Sequence, residues 1–110
     1  MNGPCTAGFP VFLLPGYWPT AVLALNDMVA TGCMASARRH GMLLPEALSV
    51  IGCDNLFCAP YTVPALTSFD MHQQELGRQA VELLLSGENR KEAVQWELVE
   101  RDSCARVKEN

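Results

Sequence analysis

Two short apolar runs, residues 20–25 and 48–52, each stop at a polar pair, and a helix-length segment lies between them. The first run, Thr20-Ala21-Val22-Leu23-Ala24-Leu25, meets Asn26-Asp27. The second, Leu48-Ser49-Val50-Ile51-Gly52, meets Asp54-Asn55 after Cys53. Runs this short and continuous read as strands buried on both faces, because a strand covered on one face alternates. Residues 28–39 read as a helix, with Asn26 or Asp27 as its N-cap and Gly41 in the left-handed position after its end. Arg38, Arg39 and His40 fall in the last turn, where positive charge meets the negative end of the helix dipole. Strand, helix and strand in this spacing form a βαβ unit, so the two strands are expected to be parallel neighbours. The fold class that follows is α/β, a parallel sheet with flanking helices.

The later elements are read the same way. Residues 56–64 hold Pro60 and Pro64 and read as a loop, and residues 65–69 as a short third strand. Asp70 is expected to cap a second helix that runs to about Leu85, with Gln73 as the reciprocal member of a capping box. Leu76, Ala80, Leu83 and Leu84 form its expected buried stripe. Val94, Trp96 and Leu98 alternate with Gln95 and Glu97, the pattern of a half-exposed last strand. The end of the chain, residues 102–110, reads as polar. Residues 1–18 contain three prolines, three glycines and no charge, so they read as an irregular segment. The expected division is therefore 1–18 irregular, 19–105 the domain, and 106–110 a polar tail.

Charge and composition exclude several function classes. Eight Lys plus Arg face twelve Asp plus Glu, for a net charge of −4. A surface built for phosphates carries a basic excess, so direct nucleic-acid contact by this chain is not expected. An apolar fraction of 49% sets it apart from disordered chains. No apolar run approaches a bilayer span, and no basic residue precedes an export-type core, so a cytoplasmic location without a membrane partner is expected. The five cysteines (Cys5, Cys33, Cys53, Cys58 and Cys104) form no C-x-x-C pair and read as structural thiols. No metal or cofactor is expected. No base, nucleophile and oxyanion donor assemble, so the chain does not read as an enzyme.

Chemistry is expected at the strand ends. In open α/β sheets, ligands bind beyond the carboxyl ends of the parallel strands. Asn26 and Asp54 close two such strands. An amide that donates and accepts, beside a carboxylate that accepts, suits the vicinal hydroxyls of a sugar or polyol. Capping and turn formation are the competing roles of the same residues. Trp96 is either a sugar-stacking ring or packed core. The helix over 28–39 is apolar around most of its circumference. Met28, Val29, Cys33 and Met34 are therefore candidates for a dimer surface.

Residues 19–32, PTAVLALNDMVATG, resemble the PTAvfaaND-x-x-A-x-G segment of LacI/GalR-type bacterial transcription regulators. Residues 40–55, HGMLLPEALSVIGCDN, are similar to their Gl-x-vPedvSvvGfDn segment. Pro64-Ala65-Leu66-Thr67-Ser68, Glu75-Leu76-Gly77-Arg78-Gln79-Ala80 and residues 97–103 match P-p-L-T-T, ELGr-x-A and eLveReS in the same order. The resemblance implies a fold like type I periplasmic binding proteins, two α/β lobes closing on a small molecule, here incomplete. Most of the chain would come from the C-terminal lobe, and the stretch after Ser68 would cross to the other lobe. The resemblance also implies a sugar-like effector, less readily a purine, hydrogen-bonded by Asn26 and Asp54. It further implies a homodimer through the helix over 28–37. The sequence departs from the family in lacking a helix-turn-helix and most of the first lobe. Cys53 stands where an aromatic is usual, and Asp70-Met71 where a basic residue and Gln are usual. The expected product is the effector-binding and dimerising portion of a truncated regulator. A fragment of a sugar-binding transport protein, or a remnant that binds nothing, are the alternatives.

Overall fold

The computed structural model describes residues 19–107. The elements are β1 (Ala21–Leu23), α1 (Asp27–Arg39), β2 (Ser49–Cys53), a 3-10 turn (Ala59–Tyr61), β3 (Thr67–Asp70), α2 (Gln73–Ser86) and β4 (Glu97–Val99). One sheet holds the four strands in the order β1-β2-β3-β4. β1 and β2 are parallel, with Val22 opposite Val50, and β2 and β3 are parallel, with Gly52 opposite Ser68. β4 returns antiparallel to β3, with Leu98 opposite Phe69. Three parallel strands therefore end on one rim, as the strand-helix-strand spacing requires. The irregular reading of residues 1–18, Cys5 included, lies outside the described residues.

The core forms between α1 and the sheet. Ala30, Cys33, Met34 and Ala37 repeat at i, i+3, i+4 and i+7, which puts them on one face. They pack with Leu48, Val50, Ala59 and Leu66. Burying a side chain such as Met34 contributes about 1.5–3 kcal/mol. This corrects the dimer-surface expectation for two residues. Cys33 and Met34 are each 1% exposed and face the sheet. Met28 is 66% exposed and lies on the outer side of the helix, whereas Val29 is half-buried and packs against the edge of the core.

Three further expectations are corrected. Among the described residues β1 is an edge strand with one neighbour, and Leu23 is exposed rather than buried. At α2 the capping box does not form. His72 precedes the helix in the left-handed region (φ 51°) with no side-chain cap. Asp70 accepts instead from the His72 backbone N–H at 2.8 Å, and the Gln73 side chain donates to the Asp54 carbonyl at 2.7 Å. The stripe of Leu76, Ala80, Leu83 and Leu84 is amphipathic but contains no buried residue; among the described residues no helix or strand covers it, and the stretch at Glu92 and Val94 shares an open cavity with Leu76, Ala80 and Leu83.

One more correction lies at the chain end, where the polar reading of residues 102–110 conceals a structural residue. Ser103 is 1% exposed. Its hydroxyl donates to the Val50 carbonyl at 2.5 Å and accepts from the Thr67 N–H at 2.8 Å, while its carbonyl accepts from the Val50 N–H at 2.9 Å. A polar side chain is tolerated in the interior when its bonding capacity is met. Ser103 thus stitches β2 to β3 at the end of the sheet opposite the rim.

Candidate functional site

The rim is made by the residues that follow each parallel strand. Asn26 follows β1, Asp54 and Asn55 follow β2, and Asp70 closes β3. Asn26 resolves the capping question: its Oδ1 accepts from the Val29 N–H at 2.9 Å, so Asn26 and not Asp27 is the N-cap of α1. Its amide N–H2 group has no hydrogen bond among the described residues and remains able to donate. Asp54 is half-buried, and no hydrogen bond among the described residues reaches its carboxylate, which remains able to accept.

Asp27 takes a role that its sequence position did not reveal. It is wholly buried. One carboxylate oxygen accepts from the Ser68 hydroxyl and the other from the Leu56 N–H, both at 2.6 Å. A Cβ placed on Gly52 would meet Asp27 Oδ1 at 2.2 Å, so only glycine leaves room for this carboxylate over β2. Asp27 thus ties the start of α1 to the ends of β2 and β3. The partner that fixes this role, Ser68, lies 41 residues away, beyond any local pattern.

Asn55 is the second residue whose role was not foreseen. Its backbone N–H donates to the Ser68 hydroxyl at 3.0 Å, its side-chain N–H2 to Asp70 Oδ2 at 3.2 Å, and its Oδ1 accepts from the Arg101 guanidinium at 2.8 Å. Asp54 and Asn55 both sit at positive φ, 101° and 49°. Asn accepts this region readily, whereas φ 101° is costly for a residue with a side chain such as Asp. An open cavity of about 570 Å³ beside this turn is lined by Asn55, Asp70, His72, Gln73, Glu75 and Arg78. Neither Asn26 nor Asp54 lines it. A second cavity, of about 450 Å³, lies at the opposite strand-start end against Thr20, Ser49, Cys104 and Ala105.

The electrostatics favour a binding rim over a reactive one. Burial pushes the Cys53 thiol up, with the charges of Asp54 and Asp27 acting the same way, which disfavours its thiolate form. Asp70 is held below the usual carboxylate range by the His72 backbone N–H, then by the Asn55 amide. The exposed Glu75 is drawn to about 2 by Arg78 and Gln79. Both folded values lie below the unfolded ones, so their contribution to stability is present above the ordinary carboxylate range and lost as pH falls through the folded values. Urea midpoints are therefore expected to hold from neutral pH to about pH 5 and to fall steadily below about pH 4. Asp70→Asn is expected to shrink that acid-side loss, and an unchanged profile would contradict the assignment. Among the described residues, no group of three His, Cys, Asp or Glu could hold a metal ion. None of their helices is long and apolar enough to cross a membrane.

Comparison with known proteins accounts for this arrangement. Residues 11–104 match the periplasmic binding protein-like domain family, a match that begins upstream of the first motif at Pro19. The chain is 34% identical over 93 residues to the transcriptional regulator MalR of Clostridium butyricum, covering 80% of this chain and 28% of that protein. It is 38% identical over 91 residues to the transcriptional repressor PurR of Vibrio cholerae, covering 77% of this chain and 27% of the repressor. The chain therefore spans little more than a quarter of these relatives, which are transcription regulators and not enzymes. A LacI-family regulator from Enterococcus faecium with bound ribose superposes with a TM-score of 0.74 at 33% identity, over 81% of this chain and 35% of that one. One from Lactobacillus casei with bound sucrose gives 0.70 at 26% identity, over 84% and 36%. The chain belongs to the periplasmic binding protein-like family, and within it corresponds to part of the effector domain of the LacI-type transcription regulators.

Proposed function

We propose that this domain takes a sugar-like small molecule at the strand-end rim through Asn26 and Asp54, and that it self-associates. The observation that carries the first part is the pair of uncommitted groups there. The Asn26 N–H2 donates, the Asp54 carboxylate accepts, and they close adjacent parallel strands. Vicinal hydroxyls need that combination of donor and acceptor. Related regulators crystallised with ribose, sucrose and lactose support a sugar over a purine. Operator control by effector would belong to a whole regulator containing such a domain, and the acidic charge of this chain leaves DNA contact to other parts of it.

A thermal-shift screen of the 110-residue chain against pentoses, hexoses, disaccharides and purines tests the binding. A ligand at a hundredfold over its Kd adds about 2.7 kcal/mol. In a domain of this size that raises Tm on the order of 10 °C. At least one sugar is expected to produce such a shift, and no response from any sugar would count against the site.

Self-association rests on the outer side of α1, where the Met28 side chain is exposed. Cys33 and Met34 take no part, since they are inside. Sedimentation velocity is expected to show a dimer at micromolar concentration that Met28→Glu converts to monomer. A wild-type monomer would contradict it.

A further inference from the structure

The left-handed turn at Asp54 needs something to hold it. A residue with a side chain at φ 101° persists only when its surroundings over-determine the conformation. The backbone of Asp54 is held at both ends. Its N–H donates to the Phe69 carbonyl at 2.9 Å, and its carbonyl accepts from Gln73 at 2.7 Å. The next residue, Asn55, has its backbone N–H, side-chain N–H2 and Oδ1 engaged by Ser68, Asp70 and Arg101 respectively. Among these, the Arg101 bond decides which way the amide faces. A guanidinium only donates, so it fixes the Asn55 oxygen toward itself and leaves the N–H2 for Asp70. Arg101 is itself fixed by a second bond from Nη1 to the Leu66 carbonyl at 2.8 Å, and its backbone N–H donates to Thr67 Oγ1 at 2.9 Å.

We propose that Arg101, acting through Asn55, is the positioning residue that holds the Asp54 turn in its left-handed form and registers it with Asp70 at the entry to α2. The functional meaning of this rests on the reading of Asp54 as a ligand group. A planar fork is needed because one arm grips the Leu66 carbonyl while the other grips the Asn55 side chain. An ammonium at the same place supplies charge without that two-point geometry. Ligand at Asp54 is then bound by a carboxylate already set in place.

The test uses Arg101→Lys, which keeps the charge and loses the fork, together with Asn55→Ala and the double variant. Backbone carbon shifts of Asp54 and the ¹³C titration of the Asp70 carboxyl are read by NMR. Ribose is the ligand probe, read by calorimetry. The other charged or titratable groups around Asp70 are His72, with Nδ1 at 3.7 Å, Glu97, its partner across β4, and Glu75 and Arg78, which line the same cavity. All the variants retain them, so a moved Asp70 midpoint isolates the Asn55 bond. Arg101→Lys is expected to shift the Asp54 resonances, to raise the Asp70 midpoint as Asn55→Ala does, and to weaken ribose binding about tenfold, with the double variant no worse than either single. An Asp70 midpoint and Asp54 shifts unchanged in Arg101→Lys overturn the proposal, whatever ribose does. If the wild-type chain ignores ribose and every other sugar, the ligand reading of Asp54 fails. The two NMR readouts then still decide whether Arg101 holds the turn.

Discussion

Asp27→Ala is expected to remove about 4 kcal/mol of folding stability, read as a fall in the urea midpoint at unchanged m-value. The substitution deletes an acceptor that serves two donors, the half-buried Leu56 N–H and the buried Ser68 hydroxyl. Each donor left without a partner costs about 1–3 kcal/mol, and the void over Gly52 adds to it. A chain of this length holds about 5–15 kcal/mol in total, so the variant sits close to the unfolding threshold. Asp27→Asn keeps the shape but turns one oxygen into a donor facing another donor, so it is expected to lose about half as much. An alanine variant within about 0.5 kcal/mol of the parent would show that the carboxylate is not the tie between α1 and the two strand ends.

The second large effect separates binding from folding. Asp54→Gly is expected to abolish the thermal response to sugar while leaving the chain as stable as the parent, or up to about 1 kcal/mol more stable. Glycine occupies positive φ without the steric cost borne by a side chain, and the Asp54 carboxylate supports nothing else in the described structure. Asn26→Ala makes the contrast. It is expected to lose the sugar response and about 1 kcal/mol of stability together, because the Asn26 side-chain oxygen Oδ1 also caps α1. A sugar response retained in both variants would remove both residues from the site.

The strand-helix-strand frame was legible because its signals are local: two apolar runs, a cap, a helix-ending glycine. Its positional details were not. Asn26 and Asp27 are equally good caps on paper, and only the contact between Asp27 and Ser68 assigns them different work. Likewise, a continuous apolar run marks a strand that its full assembly covers, but not which neighbours this chain supplies. Among the described residues β1 is therefore an edge, and no helix or strand covers the apolar stripe of α2. The burial of Cys33 and Met34 was available in the sequence, since with Ala30 and Ala37 they repeat at helical spacing. The two-sided apolarity of the helix obscured it. Ser103 gave no local sign, because its role depends on backbone groups of Val50 and Thr67. The roles of Asn55 and Arg101 depend in the same way on pairing across 46 residues.

Amide-resolved NMR of the ¹⁵N-labelled 110-residue chain, titrated with ribose and then with the sugars of the thermal screen, tests the central claim most directly. The strand-end rim predicts perturbations centred on Asn26, Asp27, Asp54 and Asn55, saturating together with a single Kd. Perturbations centred instead on Thr20, Ser49, Cys104 and Ala105, around the cavity at the strand starts, would contradict it, as would spectra that no sugar changes.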